Sequence, residues 1–482
     1  MIQIHRSLFA AAVLTWAGGA VYAGQAPGSS TTADVPVSAK DRVYLADQFS
    51  NTVSVVDTAN SKLLGVIKLG ELTPANPSPL YKGQLLVHGM GYSPDHRTLD
   101  VVSIGSNSVT FIDTATNTVK HVEYVGRSPH EAMFTPDGRE VWVTIRGEDY
   151  VQVLDGKTYK ARLRIPVPNG PGMTIFSPEG AYGYVCSSFS PETVVVSTES
   201  HKIVGRVPQP SPFCPDIAAT PDGTQVRQTL KDVGKVQVFS ARPPFKVVAV
   251  LDTGPITNHV NFVRTPKGQF AYVTIGGLNM VKVFTTEAAP QLVATIPTGD
   301  LPHGLRPSGD GSRIAVGLEN ANAVTIIDTA SNTVIATIPS GQAPQGMVYI
   351  PNAVPEGDGP GNLAPLGSLG NAAHLTLGAP GSPAVLSTVT VNNQGLVDLI
   401  QVAATGLEPK HAYVLATALE ADGSGPLTSI AKFMSNPAGA AIVDAMGALR
   451  APLAGAGDAP RHYLVIAPET DGQPAKPVQV SR

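Results

Sequence analysis

HEAMFTPDGREVWVTIRGEDYVQVLDGKTYKARLRIPV, residues 130–167, is the stretch from which the fold is read. Four short runs, HEAMF, EVWVTI, YVQVLD and KARLRIPV, are separated by TPDG, RGED and GKTY. Apolar residues alternate within each run and turn formers bound it, which is the pattern of half-buried strands joined by tight turns. Four antiparallel strands in a unit of about 40 to 45 residues match one blade of a propeller, a unit that needs neighbours of its own kind to cover its faces.

The neighbours are there. The Pro-Asp-Gly turn recurs as SPDH, TPDG, SPEG, TPDG, TPKG, SGDG and a degenerate YIPN, anchored at Pro94, Pro136, Pro178, Pro221, Pro266, Gly309 and Pro351. Successive anchors are 42, 42, 43, 45, 43 and 42 residues apart. The third strand of each unit can be followed separately, from VSVVDT at 53 through VTFIDT at 109 to VTIIDT at 324. The two series are out of phase. The chain enters with strands two, three and four, at RVYLADQFSNTVSVVDTANSKLLGVIKLG, and leaves this region on a first strand, QGMVYIP. The expectation is therefore a closed seven-bladed β-propeller over residues 41–351, in which the last strand completes the first blade (3+1 closure) and no exposed sheet edge is left. A Pro-rich insertion, ELTPANPSPLYKGQ at residues 71–84, falls between two blades, where propellers carry binding loops, and reads equally as a neutral surface loop.

Composition agrees with an all-β chain. The 482 residues include 48 Gly and 42 Pro but are only 15% charged, which favours many short strands over solvated helices. A net charge of −4 supplies no basic field for nucleic acid. At the N-terminus, Arg6, the apolar run Leu8 to Trp16 and the small-residue site VYA before Gly24 read as a signal peptide over residues 1–23, followed by a linker at 24–40. The apolar run is too short to span a bilayer and no other segment is long enough, so a soluble, monomeric, periplasmic or secreted protein is expected.

The run PHGL, then DGSRIAVGLENANAVTIIDTASNTVIATIPSGQAP, with relatives at 41–70 and 98–126, resembles the YVTN-type (YncE-like) propeller repeat of exported bacterial and archaeal proteins. The resemblance covers roughly residues 41–351 and implies architecture and compartment rather than an activity.

Beyond the ring, residues 352–370 are rich in Pro and Gly and read as a linker. Residues 371–482 hold about seven strand-like segments, from HLTLGAP to RHYLVIAPE, the pattern of a small β-sandwich serving packing or partner binding. A short helix is allowed at AAIVDAMGAL.

Phosphate loops, His-Glu-x-x-His, Cys-x-x-Cys, haem-attachment and Gly-x-Ser-x-Gly motifs are all missing from the chain. What remains is positional. The openings of the seven first strands carry His88, His130, Gly172 or Met173, Cys214, His259, His303 and Gln345, which the ring brings to one mouth of its channel. His259 and Cys214 stand one residue further from the turn than the rest, which calls for a bulge in those two blades. The candidate ligand set is thus His88, His130, His259, His303 and Gln345, with a copper or zinc ion at His88, His130 and His303. A structural reading, in which these side chains bond backbone groups at the mouth, ranks ahead of metal or small-ligand binding, and that ahead of a redox site. Glu131 is expected on the opposite face of its strand, as a structural residue. Cys186 and Cys214 approach one face near the axis; pairing is favoured, with free thiols or metal ligation by Cys214 as alternatives. Function is accordingly read as the binding of a ligand, metal ion or protein partner at the mouth. The alternative is a copper-type oxidoreductase. A lactonase-type hydrolase ranks lower, because the mouth positions offer almost no Asp or Glu.

Overall fold

A computed structural model describes residues 35–70, 83–357, 359–395, 397–449, 452–453 and 460–482. The expected signal peptide and residues 71–82 of the insertion lie outside the described residues. The ring is seven four-stranded antiparallel sheets. Blade 1 is built from Arg42–Asp47, Thr52–Asp57 and Lys62–Lys68, with Pro344–Ile350 as its innermost strand. Blades 2 to 7 begin at Val87, Pro129, Pro171, Ile217, Thr257 and Pro302. Closure runs through Val43 opposite Tyr349, Tyr44 opposite Val348 and Leu45 opposite Met347. It is fastened by Asp41, whose carboxylate accepts from the Tyr349 hydroxyl at 2.7 Å and from the Asn352 amide at 2.8 Å.

Local chemistry explains the repeat. In TPDG, Asp137 Oδ1 accepts from the Arg139 amide at 3.0 Å while Gly138 takes a φ of +69°. The Asp-Thr ending of the third strand is an Asx turn: Asp113 Oδ1 accepts from the amides of Ala115 and Thr116 at 3.1 and 2.9 Å. Ser197 accepts from the Ser200 amide at 3.3 Å, so a hydroxyl substitutes where the aspartate is absent.

The strands differ from the half-buried expectation. In blade 3 the inner strands Pro129–Phe134 and Glu140–Ile145 are buried at every residue, and only the outermost, Ala161–Pro166, is mainly exposed. Each blade is covered on both faces by its neighbours, so alternation sorts residues between two interfaces rather than between core and water. Trp142 shows the fit: fully buried, it meets Phe176 of blade 4 edge to face at 5.1 Å between centroids. Its ring also lies where a Cβ on Gly183 would stand, 2.6 Å from Cζ3.

The C-terminal strands form one sheet in the order Thr428–Met434, Ala412–Ala418, Tyr463–Thr470, Gln479–Ser481, Ala372–Gly378, Ser387–Asn393, Asp398–Ala404 and Ala441–Gly447. Its two ends come into contact, so the sheet is nearly closed, in keeping with a sandwich. Leu377, Val391, Ile400, Leu415 and Ile466 fill it. The segment allowed as a helix is a strand, Ala441–Gly447, paired along Asp398–Ala404, where its apolar side joins that core.

Residues 352–370 do more than link. Ala364 exchanges backbone hydrogen bonds with Val66 on the outer strand of blade 1, at 2.8 and 2.9 Å. Asn117 Nδ2 donates to the carbonyls of Gly359 and Gly361. The inner strand ends at Ile350 on the face opposite the histidine mouth, and this strap carries the chain around blade 1. The C-terminal sheet is thereby set on the mouth itself. Asn320 Nδ2 donates to Thr388 O at 3.1 Å, Gln342 Nε2 to Asn393 O at 3.0 Å and Gln394 Nε2 to Phe49 O at 3.1 Å. Two apolar clusters seal it: Phe49, Ala343 and Leu399, and Ile256, Leu301, Ala403 and Ala440.

Candidate functional site: the capped histidine mouth

Six of the first strands carry a one-residue bulge, that of blade 4 between Pro171 and Met173 and the other five at one common place. Between Val87 and Met90, Pro129 and Ala132, Thr257 and Val260, and Pro302 and Leu305, three steps on the first strand face two on the second; Pro344 to Met347 shifts similarly against the closing strand. The bulge is thus not special to the His259 blade. His88, His130, His303 and Gln345 occupy one equivalent position, and the blade 6 residue there is Asn258. His259 stands one step on, level with Glu131 and Asp216. The amides of these three donate in the same way to Thr274, Thr144 and Thr229 hydroxyls, at 2.8, 3.1 and 3.1 Å. Those threonines in turn donate to His303 O, Gly172 O and Asn258 O of the next blade, lacing the strand openings together around the axis.

The rings of His88 and His130 lie 4.4 Å apart between centroids, those of His88 and His303 6.5 Å, and those of His259 and His303 4.7 Å. His130 Nδ1 is 2.8 Å from Gly172 O and His303 Nδ1 is 3.1 Å from Gln345 O. A ring nitrogen facing a carbonyl must carry the proton, which leaves Nε2 of each with a free lone pair. Burial keeps all four imidazoles neutral. His88 is pushed down to about 3, with Arg146 and Lys231 adding to the effect, and His130, His259 and His303 lie well below their ordinary value for the same first reason.

The carboxylates were missed by sequence reasoning. Glu131 is not on the far side from His130: the bulge breaks strict alternation, and ligand atoms of His88, His130 and Glu131 lie within 4.8 Å of one another. Glu131 Oε1 accepts from the Met90 amide at 3.0 Å. Asp216 Oδ2 accepts from the Val260 amide at 2.9 Å and lies 3.5 Å from His259 Nδ1. Burial raises Glu131 well above the usual carboxylate range and Asp216 to about 7, with Arg306 pulling both back. The mouth is therefore not poor in acids, and hydrolysis is not excluded on that ground. The acids come from the residue after the one that opens the strand, and no composition signal marks that shift.

Cys186 and Cys214 are joined in a disulfide, so Cys214 is not a ligand. Between the rings and the cap lies a partly open chamber of about 460 Å³. His88, His130, His303 and Gln345 line its floor, and Gln401 and Asp444 enter from the cap. His259 does not line it. Glu319 at the wall accepts from Gln345 Nε2 at 2.8 Å and is raised by burial to about 7.

Comparison with known proteins speaks to the fold. The family model of the seven-bladed β-propeller lactonases matches residues 113–338, somewhat less than half of the chain. Among solved structures, Kuenenia stuttgartiensis hydrazine synthase is 22% identical with a TM-score of 0.50, covering 58% of this chain and 94% of that one. A functionally unknown protein from Desulfotomaculum acetoxidans DSM 771 is 14% identical with a TM-score of 0.55, covering 64% and 98%. No curated protein matches. With the seven sheets, these likenesses establish a seven-bladed propeller.

Proposed function

We propose that this chain is an exported propeller of the YVTN type that binds one transition-metal ion, copper or zinc, at the floor of its capped chamber, through His88, His130 and Glu131. The carrying observation is the convergence of these three groups within 4.8 Å. Two neutral imidazoles and a carboxylate are a donor set suited to such ions. The second ring nitrogen of His130 is already oriented by a backbone carbonyl, the arrangement that fixes a ligand's lone pair. His303 stands across the chamber floor as the next nearest donor. Export is supported by the pattern of residues 1–23 and by the disulfide, which belongs to an oxidising compartment. A small ligand is favoured over a protein partner at the mouth, because the C-terminal domain already covers it.

Copper or zinc content of the full chain, measured by mass spectrometry after loading and extensive dialysis, tests this reading. One equivalent is expected in the wild type, lost in His88→Ala and His130→Ala and weakened about 10- to 100-fold in Glu131→Gln. A wild type that retains no metal after loading rules it out.

A second reading, a hydrolase of small cyclic esters, is favoured by the lactonase-model match and by the acids beside the histidines. A bound ion held by His88, His130 and Glu131 would supply Lewis acidity toward a carbonyl. Turnover of a panel of simple lactones by the loaded wild type, abolished in Glu131→Gln, is the expected outcome. Loaded protein inert toward every lactone leaves the binding role alone.

A further inference from the structure

The chamber also holds two cations, Arg146 and Lys231, beside three acids, Asp232, Glu319 and Asp444, whose charges act on Lys231 but not on Arg146. Arg146, at the end of the second strand of blade 3, lies with its guanidinium 5.5 Å from the Phe189 ring centroid and 5.3 Å from that of Phe213. Lys231 Nζ lies 6.0 Å from the Phe213 centroid. Both side chains line the chamber. Among the described residues neither forms an ion pair, and Arg146 Nε is buried with no hydrogen-bond partner. Glu319 accepts from Gln345 and Gln401, Asp444 from Gln401 and Asp232 from Ser211, and all three carboxyl groups feel the charge of Lys231, so Arg146 is the cation left without an acid. A desolvated guanidinium such as that of Arg146, with no counter-charge in ion-pair reach, is unfavourable unless an occupant supplies the negative charge. The histidines, being neutral, neither supply nor oppose it.

A second cavity, of about 370 Å³, adjoins the first. It is lined by Arg127, Ser128, Asn169 and Phe189, and shares Ile104 and Arg146 with the chamber. Arg146 therefore stands at the partition between the two. Arg127 is exposed at the outer rim, its guanidinium donating to the Gly147 carbonyl. Arg127, Arg146 and Lys231 make a positive track running inward from solvent, of the kind that steers and concentrates anions.

We propose that the capped chamber is a site for a small oxyanion, an organic carboxylate or an inorganic oxyanion, that enters past Arg127 and is clamped by Arg146 and Lys231 beside the histidines. The planar fork of Arg146 suits a two-oxygen contact and the ammonium of Lys231 a point contact. A volume of about 460 Å³ suits a small molecule. This site names the ligand class for the same mouth but does not depend on the metal, since neither cation is a metal donor.

Isothermal titration of the metal-stripped full chain at pH 7 and low salt, with succinate, oxalate, phosphate and sulfate as probes, decides it. At least one probe should bind one to one, and its identity separates the carboxylate from the inorganic source. Arg146→Gln and Lys231→Gln should each weaken that binding at least about tenfold, the loss of one charged hydrogen bond. Arg127→Gln should slow association and flatten its salt dependence while changing affinity little. No saturable binding of any probe up to about 10 mM, or unchanged binding in both inner variants, overturns the proposal. Should Lys231→Gln fail to fold, Arg146→Lys and the anomalous signal of selenate soaked into wild-type crystals replace it. A selenate peak away from Arg146 counts against the site. His130→Ala separates the two readings: it should lose metal and keep the anion, whereas Arg146→Gln should lose the anion and keep metal.

Discussion

At the scale of single residues, the mouth is a set of buried bases and acids whose protonation opposes charge. His303 is neutral in the folded chain well below the pH at which an unfolded histidine protonates, near 6.5. The unfolded chain therefore takes up a proton as pH falls through that value and the folded chain does not, so His303 destabilises increasingly on acidification. Asp47, Asp216 and Glu319, each raised to about 7 by burial, act with the opposite sign. They hold protons in the folded chain that the unfolded chain releases above about pH 4, so their contribution improves as pH falls from 7 toward 4. The whole-chain profile is consequently flattened, and a single variant exposes one side of it. Between pH 6 and pH 5, metal-free wild type should lose about 1 kcal/mol more stability than His303→Gln, read from urea midpoints of both proteins at both pH values. Equal losses would mean that the His303 imidazole is charged in the folded chain.

At the scale of elements, closure and strap carry the architecture. Asp41 holds the last strand of the ring through the Tyr349 hydroxyl and the Asn352 amide, and it is fully buried. Asp41→Ala leaves both donors without a partner and should cost about 1.5–3 kcal/mol. Hydrogen exchange should locate the damage, with the amides of Val43 to Leu45 and Met347 to Ile350 exchanging faster and those of blade 4 unchanged. The strap has its own tight point. Gly65, at φ +148°, lies where a Cβ would meet the Ala364 carbonyl at 2.7 Å, so Gly65→Ala should detach the strap from blade 1 without opening the ring. These elements also show what was legible beforehand. Seven turns at near-constant spacing, and two strand series out of phase, identify the ring and its 3+1 closure, because each blade repeats one turn chemistry. The side-by-side placement of His130 and Glu131 is not legible, because a bulge is a backbone event and no residue type in Pro-His-Glu announces it. The strap reads as a plain linker for a related reason: Pro and Gly show that residues 352–370 form no regular element, but they do not show that Ala364 bonds to Val66.

At the scale of the whole molecule, the sheet at the C-terminus roofs the propeller mouth and makes a partly open chamber of it. Its amphipathic strands predict a sandwich from the sequence, yet their docking depends on side-chain contacts between residues 51 to 345 apart, which periodicity does not encode. Two apolar clusters and a few amide hydrogen bonds hold the cap, and the chamber exists only while they persist. Phe49 and Leu301 contribute from the propeller side, at 4% and 0% exposure. Changing both to Ser removes apolar contact from each cluster and should cost on the order of 2–5 kcal/mol per site, mostly from docking rather than from the ring. In the Phe49→Ser, Leu301→Ser double variant the chamber should open. Carbethoxylation of His88, His130 and His303 should then accelerate by at least about tenfold, the change expected when about 1.4 kcal/mol of closure is lost. His96, His121 and His201, away from the chamber, serve as references within the same molecule and should react at the wild-type rate. Small-angle scattering should report a larger radius for the double variant while its far-ultraviolet dichroism stays that of the wild type. Chamber histidines that react equally fast in both proteins would show that solvent already reaches the mouth freely, and that the sheet decorates the propeller without closing it.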